Sequence, residues 1–228
     1  MEGPAVKIGW LLGWAVPEDW FGTFARDTFP TDSHFFAKPS PGAIDELEAG
    51  APFDWVVGYS LGTLLLAGQA PRAQRLGRVA LLAPIFAFPS EEGLGGRISR
   101  AEVQILARRL RQDPERAIGE FHRRAGLEVP PGVRVTALPV AGHWASSEGR
   151  LSLAWGLAQL ELVRLDPVLP DGWKGWCGVD DPLLDALRLH ELAGQISPLP
   201  GATHHPRALI GAFAAFVGRV PDRLEAGR

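Results

Sequence analysis

Short apolar runs recur along the first third of the chain, each followed by a segment with helical spacing. Val6 to Leu12 is mostly apolar and short, as expected for a parallel strand buried on both faces. Pro17, Glu18 and Asp19 open a helix, and Trp20, Phe21 and Phe24 supply its apolar face. His34 to Ala37 reads as a second strand; Ser40-Pro41 starts a short helix through Leu47 that Gly50 stops. Asp54 to Tyr59 is a third strand, and an apolar helical run, Leu61 to Ala70, follows at once. Gly77 to Leu82 is a fourth. Strands alternating with helices predict an α/β fold, a parallel sheet covered by helices.

The rhythm breaks after Ala83-Pro84. From Phe86 to about Leu165 no strand–helix alternation occurs. Phe88 to Gly96 is a loop. Arg97 to Gln112 is helical, with Val103, Leu106, Ala107 and Leu110 on one face. Asp113 before Pro114 is a cap followed by a first-position proline, so a second helix starts there with Ile118, Phe121 and Ala125 as its stripe. Leu127 to Gly142 is a Pro-rich connection with one candidate strand, Val133 to Leu138, and Ser147 to Val163 is a long apolar helix. Alternation resumes with Trp173 to Val179 as a strand, Leu183 to Leu192 as a helix, Ile196 to Leu199 as a strand and Arg207 to Val217 as the last helix. The expected organisation is a core of residues 1–85 and 166–228 with a helical cap, 86–165, inserted in it.

Composition narrows the classes. Of 228 residues, 46% are hydrophobic and 21% charged, enough apolar material for a full core. A net charge of −3 implies no overall attraction to nucleic acid. The single cysteine, Cys177, excludes an intramolecular disulfide framework and a CxxC metal site. No basic segment leads into a long apolar one at the start, and no run approaches the ~18 apolar residues that span a membrane. A soluble, cytoplasmic monomer is the expectation. No His/Asp/Glu cluster has metal spacing, so neither metal nor cofactor is expected. The eight Trp fit core positions more simply than the lining of a cleft.

The chemistry centres on Gly58-Tyr59-Ser60-Leu61-Gly62, a G-x-S-x-G pentapeptide between a strand and a helix. That context exposes a serine hydroxyl on a sharp turn, with glycines where side chains would collide with strand and helix. A serine hydroxyl is a weak nucleophile; it needs a base, and the base an orienting acid. Asp181 and His204 lie just beyond later strands, at the edge where open α/β sheets hold ligands. Asp180 and Asp185 compete with Asp181, which could instead only cap the following helix; His205 competes with His204. The registers Gly178-x-x-Asp181-x-Leu183-Leu184 and Gly201-Ala202-x-His204-x-Pro206 favour Asp181 and His204. His143 is expected in a turn or at the cleft, and His34, His122 and His190 on the surface or on helix faces. Acyl transfer also needs donors for a developing oxyanion. The backbone N–H groups of Leu61 and Trp14 are the candidates. A His-Gly pair usual before the second donor is Leu12-Gly13 here, so a side chain that would brace this loop is missing.

These motifs resemble the α/β-hydrolases and, more narrowly, the pimeloyl-acyl carrier protein methyl ester esterases of biotin synthesis. The resemblance rests on Gly13-Trp14-Ala15, Gly58 to Gly62, Leu81-Leu82-Ala83-Pro84, Ala154-Trp155-Gly156-Leu157, Gly178 to Leu184 and Gly201 to Pro206. It implies a carboxylesterase acting through Ser60, Asp181 and His204, with an oxyanion hole at Trp14 and Leu61. It also implies a mostly parallel sheet that lacks the usual N-terminal strands, because Val6 to Leu12 corresponds to a third strand. Between Arg97 and Arg124 stand eight Arg against four acids, and Arg108, Arg109, Arg111, Arg116, Arg123 and Arg124 could present a positive face. In the resembled family such arginines engage an acidic acyl carrier protein; a solvated face with pairs such as Glu120–Arg124 is the plainer expectation. A thioesterase, a lactonase, an acyltransferase and a catalytically silent binding module remain open.

Overall fold

The computed structural model describes residues 5–127 and 146–219. The candidate strand Val133 to Leu138 and His143 lie outside them. Six strands form one sheet: β1 (Lys7–Leu11), β2 (Ser33–Ala37), β3 (Trp55–Tyr59), β4 (Arg78–Leu82), β5 (Lys174–Gly178) and β6 (Ile196–Leu199). Their spatial order is β2-β1-β3-β4-β5-β6, and every pair is parallel. All five residues of β3 are buried, as are four of five in β1 and β4. Helices cover both faces of these central strands, which explains their unbroken apolar runs. The outer strands β2 and β6 are more exposed, and β6 holds Pro198, a residue tolerated at a sheet edge.

Helices α1 (Glu18–Thr28), α2 (Ala43–Gly50), α3 (Leu61–Gly68) and α4 (Ala70–Leu76) link the first four strands. The expected run Leu61 to Ala70 stops at Gly68, and α4 follows as a separate helix. Pro71, at the start of α4, cannot continue α3, and the chain breaks at Gln69. Trp10 of β1 centres an aromatic cluster with Phe21 and Phe29 beneath α1 and with Phe213 of the last helix.

Between β4 and β5 the chain leaves the sheet and forms α5 (Arg100–Gln112), α6 (Pro114–Arg124) and α7 (Ser147–Leu162). The first starts three residues later than its apolar spacing suggests. Ser99 and Glu102 close a reciprocal capping box that fixes the start, leaving Arg97 outside the helix. Asp113 accepts the Arg116 N–H and Pro114 takes the first turn of α6, as the sequence implies. After β5, α8 (Ala186–Leu192) is shorter than expected because Asp185, not the region of Leu183, is its N-cap. The last helix, α9 (Pro206–Phe216), follows β6. Among the described residues no helix is long and apolar enough to cross a membrane.

Candidate active site

β3 ends at Tyr59 and α3 begins at Leu61, so Ser60 alone makes the turn. Its backbone sits at φ 53°, ψ −119°, a region L-residues rarely occupy. The flanking glycines are steric requirements. A Cβ at Gly62 would lie 2.0 Å from the Leu11 carbonyl oxygen, and one at Gly58 would lie 3.0 Å from the Gly62 backbone. Thr63 holds the turn from below: its Oγ1 donates to the Ser60 carbonyl at 2.6 Å and accepts the Ile85 N–H at 2.9 Å.

Strands β5 and β6 deliver the partners. His204 Nε2 lies 3.0 Å from Ser60 Oγ, and Nδ1 lies 2.7 Å from Asp181 Oδ2. The carboxylate can only accept at Nδ1, which leaves Nε2 with a lone pair for the serine proton. Asp181 is fully buried and His204 1% exposed, and Ser60 is 5% exposed, so the hydrogen bonds are shielded from water. Asp181 Oδ1 also accepts the N–H groups of Leu183 and Leu184, at 2.8 and 3.1 Å. The capping alternative for Asp181 is thus half right: one oxygen orders the loop while the other faces the imidazole. Asp180 is exposed and Asp185 caps α8, so neither competitor reaches the ring. Gly178 lets the two loops meet, since a Cβ there would lie 2.2 Å from the Ala202 oxygen.

His205 does other work. Its side chain accepts the Arg207 N–H as the N-cap of α9, and its ring sits edge-on to Trp20 and Phe24. Burial first, then the Arg207 and His204 charges, push its pKa down to about 4. Pro206 at the first helical position marks residue 205 as the cap, a signal already present in the sequence.

The loop after β1 packs against the serine. A Cβ at Gly13 would stand 3.1 Å from Ser60 Cβ. Leu61 is the first residue of α3, where N–H groups lack partners within the helix. The Trp14 indole N–H donates to the Leu153 carbonyl of α7 at 2.8 Å, and its ring meets Phe121 of α6 edge-on at 4.7 Å. Gly156 makes room for that ring, because a Cβ there would lie 2.7 Å from Trp14 Cδ1.

Three residues that sequence reasoning passed over act on this edge. Tyr59 Oη donates to the His204 carbonyl at 2.7 Å, and Arg97 Nη1 to the Asp181 carbonyl at 2.8 Å. His122, expected on the surface or on a helix face, lies on the buried face of α6, is 2% exposed and donates from Nε2 to the Ala15 carbonyl at 2.8 Å. Its signal was its spacing: residues 118, 121, 122 and 125 share one helix face. His34, expected on the surface or on a helix face, is half-buried on β2. Trp10 Nε1 donates to its Nδ1, so Nε2 carries the proton and donates to the Phe29 carbonyl. His190 is exposed, as expected.

The arginines divide. Arg109 and Arg116 both pair with Glu120, at 2.5 and 3.1 Å, and Arg124 pairs with Glu102 at 2.6 Å. The expected Glu120–Arg124 pair does not form. Glu120 is taken by Arg116 on its own helix and by Arg109 of α5, while Arg124 reaches across to Glu102 of α5. All six, Arg108, Arg111 and Arg123 included, are exposed. A cleft of about 430 Å³ lies between α5 and α6, walled by Phe88, Ile98, Val103, Leu106, Phe121 and Leu183, with Arg109, Arg123 and Arg124 at its polar side. Ser60 is not among its described lining residues; the cleft adjoins the site through Phe121, against Trp14, and Leu183, against Asp181. No cluster of three or more metal-ligating side chains occurs among the described residues.

No protein-family model and no curated protein matches the chain by sequence. Solved structures do match by fold. An esterase from Exiguobacterium antarcticum superposes with a TM-score of 0.70 at 14% identity, covering 95% of this chain and 93% of that one. A hydrolase from Oleispira antarctica gives 0.68 at 11% identity, covering 94% and 91%. A thermophilic esterase from Thermogutta terrifontis gives 0.63 at 12% identity, covering 95% and 90%. With its parallel six-stranded sheet, its serine turn after β3 and its helices inserted after β4, this chain has the α/β-hydrolase fold.

Proposed function

We propose that this protein is a serine ester hydrolase with Ser60 as nucleophile, His204 as base and Asp181 as orienting acid. One observation carries the reading: a serine on a strained strand-to-helix turn lies 3.0 Å from a buried imidazole whose other nitrogen meets a buried carboxylate. In this mechanism Ser60 Oγ attacks the ester carbonyl while His204 Nε2 takes its proton. The resulting oxyanion is stabilised by the N–H groups of Leu61 and Trp14. Collapse breaks the acyl C–O bond, and His204 returns the proton to the leaving alcohol. Water, deprotonated by the same nitrogen, then attacks the acyl-enzyme and releases the acid and Ser60. Asp181 holds the tautomer and stabilises the imidazolium throughout. The esterases from E. antarcticum and T. terrifontis, similar in fold, agree with this class.

For the substrate we infer the methyl ester of a dicarboxylate carried on an acyl carrier protein, as the motif resemblance implies. Two exposed arginines on α5, Arg108 and Arg111, support a basic docking face. Ser60→Ala should lower hydrolysis of a short p-nitrophenyl ester by about 10³-fold or more, and a fluorophosphonate should label Ser60 only in the wild type. Full activity in Ser60→Ala refutes the site. Charge reversal at Arg108 and Arg111 should slow hydrolysis of the carrier-bound ester and spare the small one; equal rates on both remove the carrier from the reading. Arg109 is a poor choice for that test because its loss also breaks the Glu120 pair.

A further inference from the structure

We propose that His122, on the inserted helix α6, is a positioning residue that holds the oxyanion loop against Ser60. The inference rests on the esterase reading above. The loop Leu12-Gly13-Trp14-Ala15 offers no polar side chain of its own to fix it except the Trp14 indole. Leu12, where a histidine is usual, is fully buried and apolar, and only its backbone N–H is engaged, to the Ala37 carbonyl. Ala15 stands at φ 55°, a left-handed conformation that costs a non-glycine residue energy and needs outside support.

His122 supplies that support from 107 residues away, through a buried 2.8 Å contact to the Ala15 carbonyl. A carbonyl only accepts, so Nε2 carries the proton. Nδ1 has no hydrogen-bond partner among the described residues. The whole polar capacity of this buried ring is therefore committed to one carbonyl of the oxyanion loop. Burial holds its pKa below the usual imidazole value, which keeps the ring neutral and Nδ1 bare.

Trp14 is gripped by the same insertion. Its indole bonds the Leu153 carbonyl of α7, and its ring rests on Phe121, the residue beside His122. One peptide of the loop is thus held through its side chain and the next through its carbonyl, both from the cap helices. With Gly13 this close to Ser60, a shift of a few tenths of an ångström would misalign the Trp14 N–H with the oxyanion. The cap helices are then part of the transition-state site as well as its cover.

The test compares His122→Leu, His122→Gln and wild type. Leucine keeps the volume and removes the donor; glutamine places an N–H near the Nε2 position. With a p-nitrophenyl ester, H122L should lose on the order of tenfold in kcat with KM within about twofold, because the affected group acts in the transition state. Affinity for a boronic acid that mimics the tetrahedral intermediate should fall by the same factor. H122Q should recover most of both. If H122L does not fold by thermal melting, His122→Asn, too short to reach Ala15, takes its place with the same expectation. Wild-type kcat in H122L, equal losses in H122L and H122Q, or a loss confined to KM overturns the inference. Fluorophosphonate labelling of wild-type Ser60 separates the two readings: labelling with an unaffected H122L refutes only the role of His122, whereas no labelling refutes both.

Discussion

Ser60 should be worse for stability than glycine at the same position. Its φ of 53° and ψ of −119° match the first central residue of a type II′ turn, where glycine is strongly preferred. Holding an L-residue there costs about 1–3 kcal/mol. Glycine removes that strain but loses about 0.5–1 kcal/mol of stability through the larger entropy of its unfolded chain. The proper reference is Ser60→Ala, since both variants delete the hydroxyl that meets His204 and differ only in the Cβ. Subtracting the terms, S60G should exceed S60A in stability by about 1 kcal/mol. For a chain of 228 residues that is roughly 3 °C in Tm. Urea unfolding monitored by tryptophan fluorescence measures the free-energy difference, and both variants should be inactive on a p-nitrophenyl ester. S60A equal to or more stable than S60G would show that the turn is not strained and that the elbow geometry has been misjudged.

Other consequences are as direct. Gly62→Ala drives a Cβ to 2.0 Å from the Leu11 oxygen, a backbone atom that cannot rotate away, so at least about 3 kcal/mol should be lost in urea unfolding. His205 has a folded pKa of about 4 against 6.5 unfolded, so the unfolded state gains a proton first as pH falls between those values. Stability is therefore untouched above pH 6.5 and declines toward pH 4, by up to about 3 kcal/mol. His205→Asn keeps a cap, lacks the titration and should flatten that slope in melts from pH 7 to 4, with esterase activity retained. Arg97→Met removes the donor to the Asp181 carbonyl; kcat should drop several-fold with less than about 1.5 kcal/mol lost in stability, and unchanged kcat would make Arg97 a surface residue only.

What the sequence conveyed depended on where each signal lay. β1, β3 and β4 were legible because strands buried on both faces must be apolar throughout. Two helix starts, at Arg97 and Leu183, were placed too early because apolar spacing continued ahead of the cap. In both places a cap decides the boundary, Ser99 with Glu102 in one and Asp185 in the other. Ser60, Asp181 and His204 were legible because each follows a strand at the carboxyl edge of the sheet. The arginines of α5 and α6 were not sortable by charge count. Which of them clamp the two helices together depends on facing positions such as Arg109 and Glu120 that only the packed hairpin defines. The contact of His122 was not legible because its acceptor, the Ala15 carbonyl, lies on a distant loop.

The hidden contacts share one chemistry. Each segment of the candidate site has a backbone carbonyl held by a side-chain donor: Ser60 by Thr63, His204 by Tyr59, Asp181 by Arg97 and Ala15 by His122. The sequence separations are 3, 145, 84 and 107 residues, so only the first falls within a local motif. Holding carbonyls leaves the reacting side chains and the outward N–H groups unencumbered, which is what a pre-organised site requires. The donors also divide by origin. Tyr59 ends β3 and Thr63 lies in α3, whereas Arg97 and His122 belong to the segment inserted after β4. The insertion therefore holds the Asp181 and Ala15 loops, while β3 and α3 hold His204 and Ser60. A shift of the inserted segment would act first on the Asp181 and Ala15 loops, and would leave the Ser60–His204 contact in place.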